Sequence, residues 1–289
     1  MTRIVWWITC LIWSTVWLAI KVGVRDVPPI SFAGLRLVVA LVVLAPVLIV
    51  RRDLLRRMIE NWKLIAGTGV LLLGVNYALV FWGAQYVSSG LIAVLQSVTP
   101  AFGVWLSHVF MREPIRPAHI VGTLIGMAGL AILFGEHLHL SGSRGLLGAL
   151  AIACGALFVA LAYVIVAASG RKLPPLSVTT GQMIAGAIPL LVTGAMFEGN
   201  PLAFHWTRAS IAALLYLAIA GSVAGFWLNY WLLPRVGATS VLTMSIVEPL
   251  FAVLLGALVL HEALSWRVAL GGICVLVSAT MILWPKRAR

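Results

Sequence analysis

Val98-Thr99-Pro100-Ala101-Phe102 and Val247-Glu248-Pro249-Leu250-Phe251 are one phrase written twice, 149 residues apart. The match extends to both sides at that offset: Trp82 with Trp231, Val87 with Val236, Glu113 with Glu262, and Gly122 with Gly271. Earlier in the chain the offset is 146, where Pro28-Pro29-Ile30-Ser31 returns as Pro174-Pro175-Leu176-Ser177. A solenoid repeats every ~20–50 residues, so this period is far too long for one. Duplication of an apolar chain instead matches the layout of transporters, whose two similar halves rock about a site between them.

The chain is apolar throughout. Of its 289 residues 62% are hydrophobic and 10% charged, and the mean hydropathy is +1.08. A soluble domain carries ~45–50% apolar and ~25% charged residues. This chain cannot cover its surface with polar groups, so lipid is its solvent. The net charge of +12 does not point to nucleic acid, because the cations sit in short loops between apolar runs, where they set membrane topology. Cys10, Cys154 and Cys274 lie far apart inside apolar runs and read as reduced packing residues. No cofactor or metal is expected. The first apolar run lacks a small-residue cleavage site and reads as a retained span.

A spanning helix needs ~20 mostly apolar residues. Ten runs qualify: 4–23, 30–50, 64–84, 88–111, 117–135, 145–168, 175–196, 209–232, 237–260 and 266–284. Turn and charge signals separate them, among them Arg51-Arg52-Asp53 and the stretch from Glu136 to Ser143. With the N-terminus cytoplasmic, 14 cations fall on the inner side and 5 on the outer, and Arg36 lies within a span. That bias places both termini inside. Five spans per half is odd, so the second half enters the membrane from the opposite side. The expected fold is an all-α membrane protein of two inverted five-helix repeats, residues 1–140 and 141–289, around a central cavity.

Ser97-Val98-Thr99-Pro100 through Phe110-Met111-Arg112-Glu113-Pro114 resembles the end of an EamA domain. Val247-Glu248-Pro249-Leu250-Phe251 through Leu260-His261-Glu262-Ala263-Leu264 resembles it again, more closely, and Trp13-Ser14 is similar to the family's opening motif. The resemblance covers nearly the whole chain as two EamA-like units of the drug/metabolite transporter superfamily. It implies ten helices, export of amino acids or other metabolites, and a pathway surrounded by spans 1, 3, 4, 6, 8 and 9. The first unit carries Thr99 where the second carries Glu248, so the halves need not be chemically equivalent.

Polar groups inside apolar runs are the candidate pathway lining, since a donor facing lipid has no partner. Gln96 and Thr99 are three apart and share a helix face; their counterparts are Ser245 and Glu248. Asn76 and Tyr77 interrupt the third span. Asn229 and Tyr230 interrupt the eighth, aligning with Val80 and Phe81 one turn later. These groups either line a hydrogen-bonding chamber for a small zwitterion or tie helices to one another. Trp13 and Trp17 are four apart on the first span with Ser14 beside them, and Tyr163 falls at the 146-offset position of Trp17. Such aromatics form either opposite walls of a pocket able to hold an ammonium or plain core.

Glu248 is the one acidic residue placed near mid-span. It reads as structural, beside the Pro249 kink; the alternative is contact with a substrate ammonium, or proton coupling. Arg36 matches Gln182 and is expected to snorkel outward, with a substrate carboxylate as the alternative partner. Trp6, Trp7, Trp62, Trp206, Trp266 and Trp284 read as interfacial belt residues. Lys21 is expected at the interface, and Glu113 and Glu262 as caps or loop ion pairs. Gly122 with Gly126, and Gly221 with Gly225, allow close helix approach.

An intramembrane enzyme needs a nucleophile with its base, or a metal cluster. The chain has no HExxH, no CxxC and no paired mid-span carboxylates. A channel calls for rings of charge or a symmetric filter. The reading that remains is an inner-membrane exporter of neutral or aromatic amino acids working by alternating access. Its partners are a small-molecule solute and the bilayer, with a homodimer left open. Another metabolite or drug as cargo, or a receptor or scaffold role, is the alternative.

Overall fold

The computed structural model describes residues 2–140, 142–169, 173–228, 231, 232, 235, 244–261 and 265–283, and all regular structure among them is helical. The helices are α1 (Thr2–Asp26), α2 (Pro29–Val50), the short α3 (Arg52–Glu60), α4 (Trp62–Ala84), α5 (Ser89–Met111), α6 (Pro117–Leu140), α7 (Gly142–Ala168), α8 (Pro175–Phe197), α9 (Arg208–Leu228), α10 (Met244–Leu260) and α11 (Trp266–Leu283). Seven of these are long and apolar enough to cross a bilayer, and α6, α10 and α11 contain shorter apolar stretches. Large apolar side chains such as Val42, Val109 and Met196 stand about 70% exposed on the outside (67%, 71% and 71%), as a lipid-facing surface requires.

Local chemistry sets the ends. Both α2 and α8 begin on the second proline of a Pro-Pro pair, where the fixed φ suits a helix and the missing N–H has no intrahelical use. Ser88 caps α5 by accepting from the Leu91 N–H. Thr207 and Ser210 form a reciprocal capping box on α9. Arg112 after α5 and His261 after α10 both take a left-handed conformation, with φ 57° and 54°, and they are 149 residues apart. Each satisfies the geometry of a helix stop at a non-glycine residue, at about 1–2 kcal/mol.

Three sequence expectations change here. The Arg51-Arg52-Asp53 turn opens a separate helix, α3, whose arginines and carboxylates lie on the surface. Arg51 Nε and Nη2 each bind Asp53 at 2.9 Å, which holds that carboxyl below its ordinary range. A groove of about 860 Å³ lies between α3 and the end of α2, lined by Ala45, Leu48, Ile49, Arg52, Leu55 and Arg56. The stretch from Glu136 to Ser143 is helical through Leu140 and again from Gly142, since nothing between Glu136 and Leu140 breaks a helix. The pair Pro100 and Pro249 also diverges. The chain leaves the helix at Ser97-Val98 and restarts at Thr99, whereas Pro249 lies inside α10.

Packing is reciprocal between the early and late helices. The first helix packs on α9 and α10, while α7 packs on α4 and α5. Likewise α2 lies against α9 and α8 against α4, and α2 and α8 meet each other. α6 and α11 pair along their length, with Gly122 and Gly126 against Ser278 and Ile282. α4 and α8 cross closely: a Cβ on Gly69 would lie 2.6 Å from the Gln182 Cα, and one on Gly186 would lie 2.6 Å from Leu73 Cβ.

Each of α4 and α9 contains a π-helical segment, Val70–Val75 and Leu217–Ala224 respectively. Their starts are 147 residues apart, so they occupy corresponding places in the two halves. A π turn inserts one residue and re-aims the remainder of its helix; such turns concentrate at functional sites.

One end of the bundle is cross-tied. Lys21 Nζ donates to the carbonyls of Ala84 (2.7 Å) and Gln85 (3.3 Å). Thr207 Oγ1 donates to Asp26 at 2.6 Å. The Glu198 carboxylate accepts the backbone N–H groups of Ile30 (2.9 Å) and Ser31 (2.7 Å), a charge placed at the positive start of α2. Trp206, expected in the interfacial belt, instead packs on Phe32 and donates to the Pro201 carbonyl. Trp7, Trp62 and Trp266 are exposed.

Two measurements test this packing. Gly69→Ala forces a methyl onto the α8 backbone and is expected to destabilise by about 1–3 kcal/mol. Gly67→Ala, where nothing lies within 4 Å, serves as its control and leaves thermal unfolding in detergent nearly unchanged. Glu198→Ala removes two acceptors at the α2 start and should lower stability by roughly 0.5–2 kcal/mol, read from the same unfolding curves.

Candidate functional site

The polar interior is organised along α1. From Cys10 to Ile20 that helix presents a small-residue and aromatic face to the late helices. Ser14 is buried and donates to the Cys10 carbonyl at 2.7 Å, so its hydroxyl is already engaged. Trp13 stands edge-on to Phe226 and packs on Gly225, where a Cβ would lie 2.5 Å from the indole nitrogen. Val16 packs on Gly221. The glycine pair in α9 therefore serves α1 of the same chain. Trp17 Nε1 is buried with no hydrogen-bond partner among the described residues.

Asn76 and Tyr77 come directly after the π segment of α4. Asn76 is buried and donates to the Leu72 carbonyl at 3.2 Å. Gln96 Nε2 reaches Asn76 Oδ1 at 3.3 Å and the Ile152 carbonyl at 3.0 Å. That joins α4, α5 and α7 at one point, which Gly155 makes room for. Thr99 Oγ1 donates to the Gln96 carbonyl at 2.7 Å, covering the carbonyl freed where the helix is broken.

Tyr77 stacks obliquely on Phe81 at 5.5 Å. Phe81 meets Phe32, and Phe32 meets Trp206. A column of aromatic rings thus runs from the cross-tied end to Tyr77. Beneath that column lies Arg36. Its guanidinium carbon is 5.0 Å from the Tyr77 ring centre, and Nε donates to Ser222 Oγ at 3.0 Å. Arg36 is 3% exposed, so the expected outward snorkelling does not occur. Three other chain segments enclose the group: α1, the Tyr77 turn of α4 and the π segment of α9.

Ser222 is the residue that sequence comparison passed over. It stands 146 residues after Asn76, is fully buried, and donates to the Leu217 carbonyl of its own π segment at 3.1 Å. Asn76 and Ser222 are therefore equivalents, each satisfying a carbonyl of a π turn. The 146 offset, applied to Asn76, would have found it. Gln182, the counterpart of Arg36, is likewise buried and donates to Thr68 Oγ1 at 3.0 Å.

Other candidates lie apart. Glu248 is buried in α10, whose first residue, Met244, packs with Cys10 of α1. It makes no hydrogen bond among the described residues. Tyr163 is 53% exposed, so its ring stands at the surface of α7 and does not wall a pocket opposite Trp17. Asn229 and Tyr230 lie outside the described residues, as does the side chain of Ser245. No group of three or more His, Cys, Asp or Glu side chains able to hold a metal occurs among the described residues.

This architecture has relatives. A solved crystal structure superposes with a TM-score of 0.68 at 21% identity, covering 97% of this chain and 96% of its own, a likeness of fold. The uncharacterized inner membrane transporter YedA of Escherichia coli (strain K12) is 32% identical over 96% of this chain and 90% of its own. The uncharacterized transporter YoaV of Bacillus subtilis (strain 168) is 29% identical over 92% and 90%. Protein PecM of Dickeya dadantii (strain 3937) is 27% identical over 77% and 73%. The EamA-like transporter family matches twice, at residues 3–135 and 146–284. The chain belongs to that family: it is a multi-pass membrane transporter of small solutes.

Proposed function

We propose that the protein exports neutral or aromatic amino acids across a bacterial inner membrane by alternating access, with both termini cytoplasmic. In this reading residues 1–140 and 141–289 are two five-helix units inserted in opposite senses. The observation that carries it is the pair of π segments at corresponding places, each answered by a buried polar side chain, Asn76 or Ser222. The first helix packs on the second of these segments and on the turns of α4 beyond the first. Trp13, Tyr77, Asn76 and Gln96 then give a zwitterion with an apolar side chain both an aromatic wall and amide partners.

The reciprocal packing of α1 with α7, and of α2 with α8, is what a two-fold relation between the halves would produce. The ties at Lys21, Asp26 and Glu198 then belong to a closed outer end. Export requires those ties to break while an equivalent closure forms at the inner end. Glu248, buried and away from the Tyr77 cluster, is a structural residue of α10 in this account.

The test is transport by purified protein in liposomes, using a panel of labelled amino acids with and without a pH gradient. Phenylalanine and leucine should accumulate in counterflow; flux of no member of the panel would overturn the reading. Trp13→Ala and Tyr77→Ala should each lower kcat/KM roughly tenfold, or about 1.4 kcal/mol. Glu248→Gln should keep flux within about twofold of wild type in both gradients; a folded Glu248→Gln protein that loses only the gradient-dependent part would make Glu248 the coupling group.

A further inference from the structure

We propose that Arg36 is the anion-binding group of the transport site and takes the carboxylate of the solute; this rests on the amino-acid reading above and adds its point of recognition. A charged side chain inside a membrane span is costly unless paired, and it commonly marks a substrate path. Arg36 is buried in α2, yet no carboxylate approaches it among the described residues. The described ion pairs are all on α3 and its flank, at Asp53 and Glu60. Its one described hydrogen bond uses Nε, to Ser222. Both Nη groups are left without an acceptor there.

Those Nη groups are aimed rather than buried at random. Ser222 fixes Nε and the Tyr77 ring covers one side of the plane. Nη2 points at Gly221, where a Cβ would come within 3.2 Å. Glycine thus lets the guanidinium edge lie close against the α9 backbone. Val16 lines the same spot. One residue further along α1, at the same depth, Trp17 holds a buried donor without a partner among the described residues, its indole Nε1. Two orphan donors at one level of the membrane call for an acceptor that comes and goes.

A planar guanidinium edge matches a carboxylate with two parallel hydrogen bonds. A single arginine suits a monoanion better than a phosphate dianion. The position also explains the asymmetry of the halves: the counterpart Gln182 is neutral and already bonded to Thr68, so only one half presents an anion site. The amino group of the same solute would then lie toward Asn76 and Gln96, which adjoin Tyr77.

The experiment measures thermal stabilisation of the purified protein by L-phenylalanine, L-phenylalaninamide, phenylacetate and inorganic phosphate. Wild type should bind phenylalanine at least about tenfold more tightly than the amide. Arg36→Gln should erase that difference and Arg36→Lys should keep part of it. Ser222→Ala should weaken phenylalanine roughly three- to tenfold and leave the amide unchanged. Protection by phenylacetate but not phenylalanine, lost in Arg36→Gln, would retain the carboxylate site and overturn the amino-acid reading. Equal binding of phenylalanine and its amide by wild type, a folded Arg36→Gln that still discriminates, phosphate binding as tight as phenylalanine, or no protection by either carboxylate would each overturn the assignment to Arg36. Where Arg36→Gln does not fold, the wild-type comparison and Ser222→Ala decide.

Discussion

Lipid offers nothing to a hydrogen-bonding group, and the interior of this chain is arranged around that constraint. Many buried hydroxyls and amides find their partners on the chain itself: Ser14 on Cys10, Thr99 on Gln96, Asn76 on Leu72, Ser222 on Leu217, and Gln182 on Thr68. Most of these bonds stay within one helix or join two helices at a glycine crossing. Each such bond removes a penalty of a few kcal/mol for an unpaired polar group. Arg36 joins Trp17, Ser31 and Thr180 in keeping polar atoms without such a partner among the described residues, and of the four it alone carries a charge.

The packing of the helices is reciprocal. Each half lends helices to the other: α1 lies among the late helices and α7 among the early ones. Each π segment is therefore packed on helices of the other half, the first on α7 and α8 and the second on α1 and α2. Their close neighbours are small: Gly69 and Gly186 where α4 meets α8, and Gly221 and Gly225 where α9 meets α1. Helices this close transmit displacement as rigid units, which is the property a rocking pair of bundles requires.

Much of the architecture was legible in the sequence. Apolar length fixed the helices, and Pro28-Pro29 with Pro174-Pro175 marked two of their starts. The doubled motif also gave corresponding stops at Arg112 and His261. The helix α3 was missed because a charged run reads as a turn when only spanning lengths are sought, although an amphipathic surface helix has the same composition. Polarity and aromatic content singled out Trp13, Asn76, Tyr77 and Gln96, of which Asn76 and Gln96 meet through a hydrogen bond. Ser222 was missed because serine is common in apolar helices and only its register with Asn76 distinguishes it. Arg36 was misplaced because depth along a span says nothing about the side on which a side chain emerges; that depends on the crossing of α2 with α9. Tyr163 shows the converse, since correspondence by offset did not bring it to Trp17.

The π segments have a further consequence. A residue added within one turn rotates everything beyond it by about 100° relative to an uninterrupted α-helix. Tyr77 and Asn76 stand immediately past such an insertion, and Ser222 stands inside one. Loss of one codon in either segment would swing these side chains off the Arg36 cluster while leaving every flanking residue type intact. Related chains can thus differ in which side chains meet Arg36 through a change of length alone, and an alignment that closes such a gap silently would hide the difference.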